Sequence, residues 1–260
     1  MGVFDSSRTR VTPIFDALLD RDRSGKSWLD GLIALGSRKD VTASVSRGQQ
    51  LTHPGKRRWG TDEVALPAPI ALLEYLVTHV DIEQVEASND KGETRAKRTA
   101  LANRDPAIVA QALQALAKGQ RGRKWFILEG ESRPDAFLEA EQLVVCIEGK
   151  RTEARCTSHT TWMRRRSQLI RHMDAAREAY PDKRVMGLLI VEGIDGDKSV
   201  VPSQHWLDEC SAQYEDTMLA SSLPHRDNAE REKIRKGILG VTTWQAICEQ
   251  NDLAWPPTVA

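Results

Sequence analysis

A chain of 260 residues with 40% hydrophobic and 28% charged residues has the composition of a globular protein with one large domain or two modest ones. Its 37 Lys and Arg residues balance 37 Asp and Glu residues, which excludes a global field that would attract nucleic acid or an anionic membrane. Any polyanion must therefore be bound by local clusters of basic residues.

The sequence contains no run of apolar residues long enough to cross a bilayer, and its first residues lack the basic and apolar order of a secretory signal. The four cysteines lack metal-site spacing, and Cys146 falls within an apolar run, which predicts free thiols in a reducing compartment. We therefore expect a cytoplasmic protein with no membrane partner.

Residues 1–104 are predicted to form a mainly helical N-terminal region, with helices over 12–20 and 28–35. The turn between these helices contains Ser-Gly-Lys-Ser at 24–27, which is similar to the end of a phosphate-binding loop. Asp20 stands where that motif needs its first glycine, and a helix stands where it needs a strand. We interpret the tetrapeptide as an ordinary turn.

Residues 105–195 alternate between helical and extended patterns and are predicted to form the core of the protein. The predicted core elements are a helix over 105–118, strands over 124–129, 136–139 and 143–148, a helix over 160–180 and a strand over 185–191. Residues 196–260 are predicted to form C-terminal helices packed on this core. These helices are predicted over 205–219, 228–236 and 242–251.

Two carboxylates and an ammonium are predicted to converge at one edge of the sheet. Glu148 and Lys150 end an apolar strand, and side chains two apart on a strand share a face. Asp135 opens the preceding strand, and the connection between the two strands is short enough for a hairpin. Asp135 is therefore expected beside Glu148 and Lys150, with Gly149 allowing close approach of backbone or ligand.

Neighbouring carboxylates repel each other and resist burial unless a cation compensates. Hard oxygen ligands without His or Cys at ligand spacing favour Mg²⁺, with Mn²⁺ as its substitute. Asp135 and Glu148 are therefore predicted to hold the metal, and Lys150 to assist an attacking water and stabilise charge on a scissile phosphate.

The sequence resembles the PD-(D/E)xK nuclease superfamily over roughly residues 105–195. The signature of that superfamily is Pro-Asp, a hydrophobic strand and then Glu-x-Lys, and it is matched by Pro134-Asp135 and by Glu148-Gly149-Lys150. The order of predicted elements is similar as well. The resemblance implies an α/β fold with a mixed sheet and a restriction endonuclease-like αβββαβ core, extended by N- and C-terminal helices.

The superfamily often takes a further acidic ligand from the helix before the first strand, but residues 106–118 contain no carboxylate. Glu129, at the end of the predicted strand over 124–129, is our candidate for this additional metal ligand. Glu131 and Glu74 are the alternatives, and all three are equally compatible with surface or capping positions.

The helix predicted over 160–180 carries the candidate nucleic-acid contacts. The exonuclease branch of the superfamily has a Gln on this helix, followed four residues later by a Tyr; this chain has Gln168 but His172 at the Tyr position. Arg164, Arg165 and Arg171 add a local basic cluster that phosphate-backbone binding would need. The alternative is an ordinary solvated helix face.

These features predict a Mg²⁺-dependent nuclease that hydrolyses phosphodiester bonds, with DNA favoured over RNA as the partner. Pro-Asp and Glu-x-Lys each occur by chance, so their combination and order support the prediction. The alternative is a non-catalytic nucleic-acid-binding or interaction module that retains the fold. Endo- or exonuclease action, substrate specificity and oligomeric state, a homodimer included, are left open by the sequence.

Overall fold

The structure, a computed structural model, describes residues 7–156, 159–193 and 200–256. Residues 1–6, whose order argued against a secretory signal, lie outside these ranges. The described helices are Thr12–Arg21 (α1), Leu29–Ala34 (α2), Lys39–Ala43 (α3), Ile70–His79 (α4), Ile82–Ala87 (α5), Gly92–Ala102 (α6), Pro106–Ala117 (α7), Gln168–Ala179 (α8), Gln204–Gln213 (α9), Asp216–Ser222 (α10), Asn228–Arg235 (α11) and Trp244–Gln250 (α12). No helix in the described ranges is long and apolar enough to span a membrane.

The strands are Ala136–Glu139 (β1), Leu143–Gly149 (β2), Arg184–Val191 (β3) and Ile238–Thr243 (β4), and they form one mixed sheet in the order β1-β2-β3-β4. The first pair is antiparallel, because a short turn joins the two strands. The other two pairs are parallel and need helical crossovers. The predicted α/β class with a mixed sheet is confirmed.

Helices cover both faces of the sheet. Every residue of β2 is buried, as its continuous apolar run requires. Val145 and Ile147 pack with α1, α2 and α12 on one face. Val144 and Cys146 pack with α8 on the other face, where Leu169 and Met173 belong to the buried stripe of the helix. The carboxyl end of β2 is thereby held rigidly between two layers.

A second hydrophobic cluster lies beside the sheet and is built by α4, α6 and α7 with the segment 125–128. α7 begins at Pro106, and Asp105 caps it by accepting the N–H groups of Ala107 and Ile108 at 2.9 and 3.2 Å. The helix therefore matches the prediction over 105–118. The domain boundaries at 104 and 195 stay predictions.

The predicted strand over 124–129 is wrong. The buried Arg98 of α6 donates from Nε to the carbonyl of Trp125 at 2.7 Å and from Nη2 to that of Ile127 at 3.1 Å. A guanidinium thus takes the carbonyls that a neighbouring strand would have used. The αβββαβ order is consequently not reproduced in this region, and the restriction endonuclease-like core stays a prediction.

The C-terminal part contains a strand that the sequence reading missed. β4 lies parallel to β3, and α12 begins only at Trp244, with Thr243 as its N-cap. The prediction of a helix over 242–251 therefore identified the helix but not the strand before it. The helix predicted over 205–219 is divided into α9 and α10, whereas α11 agrees with the prediction over 228–236.

The helix predicted over 160–180 begins at Gln168, because Ser167 is its N-cap and accepts the N–H of Ile170. Residues before it are irregular, with a bridge between Thr160 and Met163. Arg166 in this segment is buried against Asp174 at 3.1 Å. The basic run before α8 is therefore partly structural.

Candidate active site

Asp135, Glu148 and Lys150 lie together at one end of the β1–β2 pair. The register pairs Ala136 with Ile147, which brings the preceding Asp135 beside the end of β2. Asp135 Oδ2 accepts the N–H of Gly149 at 2.7 Å, and Lys150 Nζ lies 2.7 Å from Glu148 Oε1. The expected juxtaposition of the three residues is present in the structure.

The position between Glu148 and Lys150 is occupied by Gly149, because neighbouring side chains leave no room for a Cβ there. A Cβ at this position would lie 2.7 Å from Cζ2 of Trp244 and 3.3 Å from Cγ2 of Val11. Trp244 also donates from its indole N–H to the carbonyl of Lys150 at 3.2 Å. The glycine thus allows α12 to pack directly under the site and to fix the strand end.

His172 on α8 makes the next contact with the centre. Its Nε2 lies 3.0 Å from Glu148 Oε2, and its Nδ1 lies 2.6 Å from Ser132 Oγ. In the tautomer with the proton on Nε2, the ring donates to Glu148 and accepts from the Ser132 hydroxyl. The ring and the hydroxyl are both buried. The two carboxylate oxygens of Glu148 are therefore held by two different partners.

The sequence reading treated His172 only as a departure from a Tyr. Its signal was present, since His172 lies four residues after Gln168 and thus on the same helix face. Ser132 carried no signal, because its position depends on an antiparallel bridge to Leu66, which is distant along the chain. The tertiary arrangement brought both residues to the carboxylate.

The charged groups of the centre differ in how well they are compensated. Burial, together with the nearby charge of Glu148, raises the pKa of Asp135 to about 8. Burial also raises the pKa of Glu148, but the hydrogen bond and charge of His172 and the charge of Lys150 outweigh it and leave that pKa below its usual value. Burial lowers the pKa of Lys150, but Glu148 raises it above its ordinary value.

A further carboxylate approaches the centre from an extended segment along the free edge of β1. Trp59 bridges Ala136 and Leu66 bridges Ser132, so residues between them pass beside Asp135. The charge of Glu63, in this stretch, contributes to the raised pKa of Asp135. Sequence reasoning missed Glu63 because the segment is irregular and distant along the chain.

Glu129 lies beside α8, where its Oε1 is 2.6 Å from Arg171 Nε and its Oε2 accepts the Thr160 hydroxyl at 3.1 Å. Of the two alternatives, Glu131 is exposed and pairs with Arg133 at 2.8 Å, and Glu74 is part of α4. The role of Glu129 as a metal ligand stays a prediction.

The four predicted nucleic-acid contacts are divided between two places. Gln168 and Arg171 are on α8, and Arg171 Nη2 donates to the carbonyl of Glu131 at 2.7 Å beside the centre. Arg164 and Arg165 are exposed in the segment before α8 and line a separate cavity of about 430 Å³. The structure pairs Arg171 with Glu129 and leaves Arg164 and Arg165 on the lining of a separate cavity.

Among the residues that the structure describes, no group of three or more His, Cys, Asp or Glu side chains has the arrangement to hold a metal ion. No family model, curated protein or solved structure matches the chain. The functional argument therefore depends on the geometry and electrostatics of this centre.

Proposed function

We propose that the protein is a metal-dependent nuclease that hydrolyses phosphodiester bonds. The observation that carries the proposal is the cluster of Asp135, Glu148 and Lys150, in which one ammonium faces a buried pair of carboxyl groups. The raised pKa of Asp135 indicates that the centre lacks positive charge. A divalent cation supplies that charge.

The oxygen donors of Asp135 and Glu148 match the preference of a hard divalent cation, although no third His, Cys, Asp or Glu of the described residues completes a metal-binding group with them. Asp135 and Glu148 offer carboxylate oxygens, and no thiol is needed, so Mg²⁺ is the preferred metal and Mn²⁺ its substitute. Bound there, the cation would polarise a phosphate oxygen and lower the pKa of a water. Glu63 is a further carboxylate of this region, because its charge raises the pKa of Asp135.

The residues of the chain have separable tasks in this proposal. His172 and Lys150 hold the two oxygens of Glu148 and thereby orient the carboxylate. The Lys150 ammonium stabilises charge that develops on the phosphate and orients the attacking water. Asp135 is anchored by the N–H of Gly149 and is the group that loses a proton when positive charge arrives.

The test is Mg²⁺- and Mn²⁺-dependent cleavage of labelled linear, circular and single-stranded DNA and of RNA by the wild type and by Lys150→Met. Loss of cutting by about 10³-fold is expected, since a preorganised charge beside the phosphate is removed. Lys183→Met is the matched control, because Lys183 pairs with Glu139 at 2.8 Å at the opposite end of β1. Cutting that survives in Lys150→Met at the level of the control would reject this centre.

A non-catalytic nucleic-acid-binding module is the second candidate. It is favoured by the pairing of both Glu148 oxygens inside the protein, at 2.7 Å with Lys150 and at 3.0 Å with His172. It predicts salt-dependent binding without turnover under every metal condition. The cleavage panel separates the two functions directly.

The remaining features of the proposal are DNA as the favoured partner over RNA and the cytoplasm as the location. Cys146, Cys156, Cys210 and Cys248 are free thiols, which suits a reducing compartment. Retained cleavage after mild oxidation followed by reduction would be expected of such an enzyme.

A further inference from the structure

A cavity of about 590 Å³ is lined largely by the segment 121–131. Its cationic lining residues are Arg98, Arg121, Arg123 and Lys124, and its carboxylates are Glu129 and Glu131. Trp125 forms part of the same wall. The volume is that of a site for a small organic molecule or for part of a polymer.

Most charges of this cavity are already neutralised within the protein. Arg98 pairs with Asp90 at 2.5 Å, and Arg121 pairs with Glu178 at 2.8 Å. The carboxylates are neutralised in turn, Glu129 by Arg171 at 2.6 Å and Glu131 by Arg133 at 2.8 Å. These pairs leave the cavity neutral apart from its two remaining cations.

Arg123 and Lys124 are those cations. Both are exposed, and within the described residues neither has an ion-pair partner. The backbone that follows them is held in place, because Arg98 donates hydrogen bonds to the carbonyls of Trp125 and Ile127. Two uncompensated cations on a fixed loop make a site for a ligand with two negative charges.

Trp125 places an aromatic ring next to these cations. The ring is only partly buried, and its orientation is set by Phe126 in a perpendicular contact at 5.4 Å and by Lys97 Nζ at 5.2 Å from the ring centroid. Adjacent cations and an accessible aromatic ring suit a polynucleotide, whose phosphates alternate with bases that can stack. A base can stack on the ring only where it is unpaired.

The cavity is connected to the candidate centre through a short series of contacts. Arg171 binds Glu129 and the carbonyls of Gly130 and Glu131 at the end of the cavity wall. Ser132 follows Glu131 in the chain and His172 follows Arg171, and Ser132 Oγ lies 2.6 Å from His172 Nδ1. His172 then contacts Glu148. These buried contacts fix the wall of the cavity relative to the carboxylates.

We infer that this cavity binds a single-stranded polynucleotide, with Arg123 and Lys124 on successive phosphates and Trp125 stacked on an unpaired base. The inference rests on the proposed nuclease function and names the substrate class of that centre. DNA and RNA share this chemistry, and the experiment distinguishes them.

The experiment measures fluorescence anisotropy of labelled oligodeoxyuridine, oligouridine and a DNA duplex in EDTA, over a range of NaCl concentrations. Arg123→Gln with Lys124→Gln is expected to weaken single-strand binding about tenfold and to reduce the slope of log K against log salt by about 1.4, that is about 0.7 for each phosphate contact. Trp125→Leu is expected to weaken it about tenfold without changing the slope. The stronger of the two single-stranded probes identifies the sugar.

Arg23→Gln with Lys26→Gln is the matched control, because it removes two exposed cations from the turn between α1 and α2, outside the cavity lining. Equal losses in the control and in the Arg123 and Lys124 variant would overturn the inference. Tighter binding of the duplex than of both single strands would overturn it as well. The two charge changes lie on exposed side chains, so the result does not depend on the more buried Trp125.

Cleavage assays on the same variants separate this inference from the proposed function. Selective loss of single-strand binding in the Arg123 and Lys124 variant supports the cavity even if the wild type cuts nothing, and only the nuclease proposal then fails. If the wild type cuts and the variant cuts with unchanged KM, the cavity inference is overturned and the nuclease proposal stands.

Discussion

The two ends of the β1–β2 pair carry charge in opposite ways. At the turn end, the single carboxylate of Glu139 faces Arg58 at 2.9 Å, Lys183 at 2.8 Å and His53 at 3.8 Å. Burial raises the pKa of Glu139, but the hydrogen bond from Lys183 and the charge of Arg58 leave it below its usual value. At this end, the charge of Glu139 is neutralised by cationic side chains of the protein itself.

At the other end, carboxyl groups outnumber the ammonium. Burial and the charge of Glu148 raise the pKa of Asp135 to about 8, with the charge of Glu63 adding to the rise and the charge of Lys150 opposing it. The same two strands therefore carry Glu139, whose charge is neutralised by neighbouring cations, and Asp135, whose charge is not. An uncompensated buried carboxyl group is costly and is characteristic of functional sites.

The largest expected effect tests the uncompensated end directly. We expect Asp135→Asn to lower Mg²⁺-dependent cleavage about 10³-fold, because the amide cannot supply the anionic oxygen. Without metal, the same variant should gain stability over the wild type as pH rises. The measurement is urea unfolding in EDTA at pH values between the unfolded pKa of 3.8 and the folded pKa of about 8.

The sign follows from the raised pKa of Asp135. The folded protein holds this proton up to about pH 8, whereas the unfolded chain releases it near the ordinary pKa of 3.8, so wild-type stability falls as pH rises between these values. The gain in Asp135→Asn has an upper limit of about 6 kcal/mol. A stability difference that does not change with pH would contradict the electrostatic assignment.

A smaller effect is expected at His172, which acts through Glu148. His172→Phe keeps a ring in the buried site but removes the contact of 3.0 Å to Glu148 Oε2. Loss of such a supporting partner is expected to weaken Mn²⁺ binding about 10–100-fold. Isothermal titration calorimetry with Mn²⁺ measures this loss.

His205→Phe serves as the control for that variant, because His205 is exposed and contacts the carbonyl of Ala154. Equal Mn²⁺ affinities in the two variants would show that His172 does not orient the carboxylate. A restored affinity in His172→Gln, which can donate to Glu148, would support the orienting role.

The smallest expected effect is at the turn end of the β1–β2 pair. Glu139→Gln should leave cleavage unchanged and destabilise the protein by about 1–3 kcal/mol, since partly buried cations lose their carboxylate. The pKa of Glu139 is lowered, so its contribution is present above the unfolded value of 4.5 and is lost as pH falls through the folded value. Urea unfolding across the acid range measures this contribution to stability. A loss of cleavage in Glu139→Gln would contradict the assignment of catalysis to the opposite end of the strand pair.

Local pattern was sufficient for the β1–β2 pair and for α7. Both strands are short apolar runs joined by a tight turn, so their register follows from neighbouring residues. The position of Asp135 beside Glu148 and Lys150 could therefore be derived from the sequence. The caps at Asp105 and Ser167 are likewise local signals, although the helix predicted over 160–180 begins before the second cap.

Local pattern failed where a distant side chain replaced a strand partner. Residues 124–129 have strand composition, but Arg98 takes the carbonyls of Trp125 and Ile127. β4 was missed although Ile238, Val241 and Thr242 are typical of strands, because the run is short and contains Gly240, whose φ is 99°; the pairing with β3 establishes the strand. In both cases the decisive hydrogen bonds join residues far apart along the chain.

The sequence by itself determined the α/β class, the paired strands and the three charged groups at their end, because these depend on apolar periodicity and a short turn. Only the tertiary structure decided which groups surround them. It brought Ser132 and His172 to Glu148, carried Glu63 past Asp135 and turned residues 121–131 into the wall of a cavity. Burial and long-range contacts set the charge balance of the centre, and neither is encoded in any local stretch of residues.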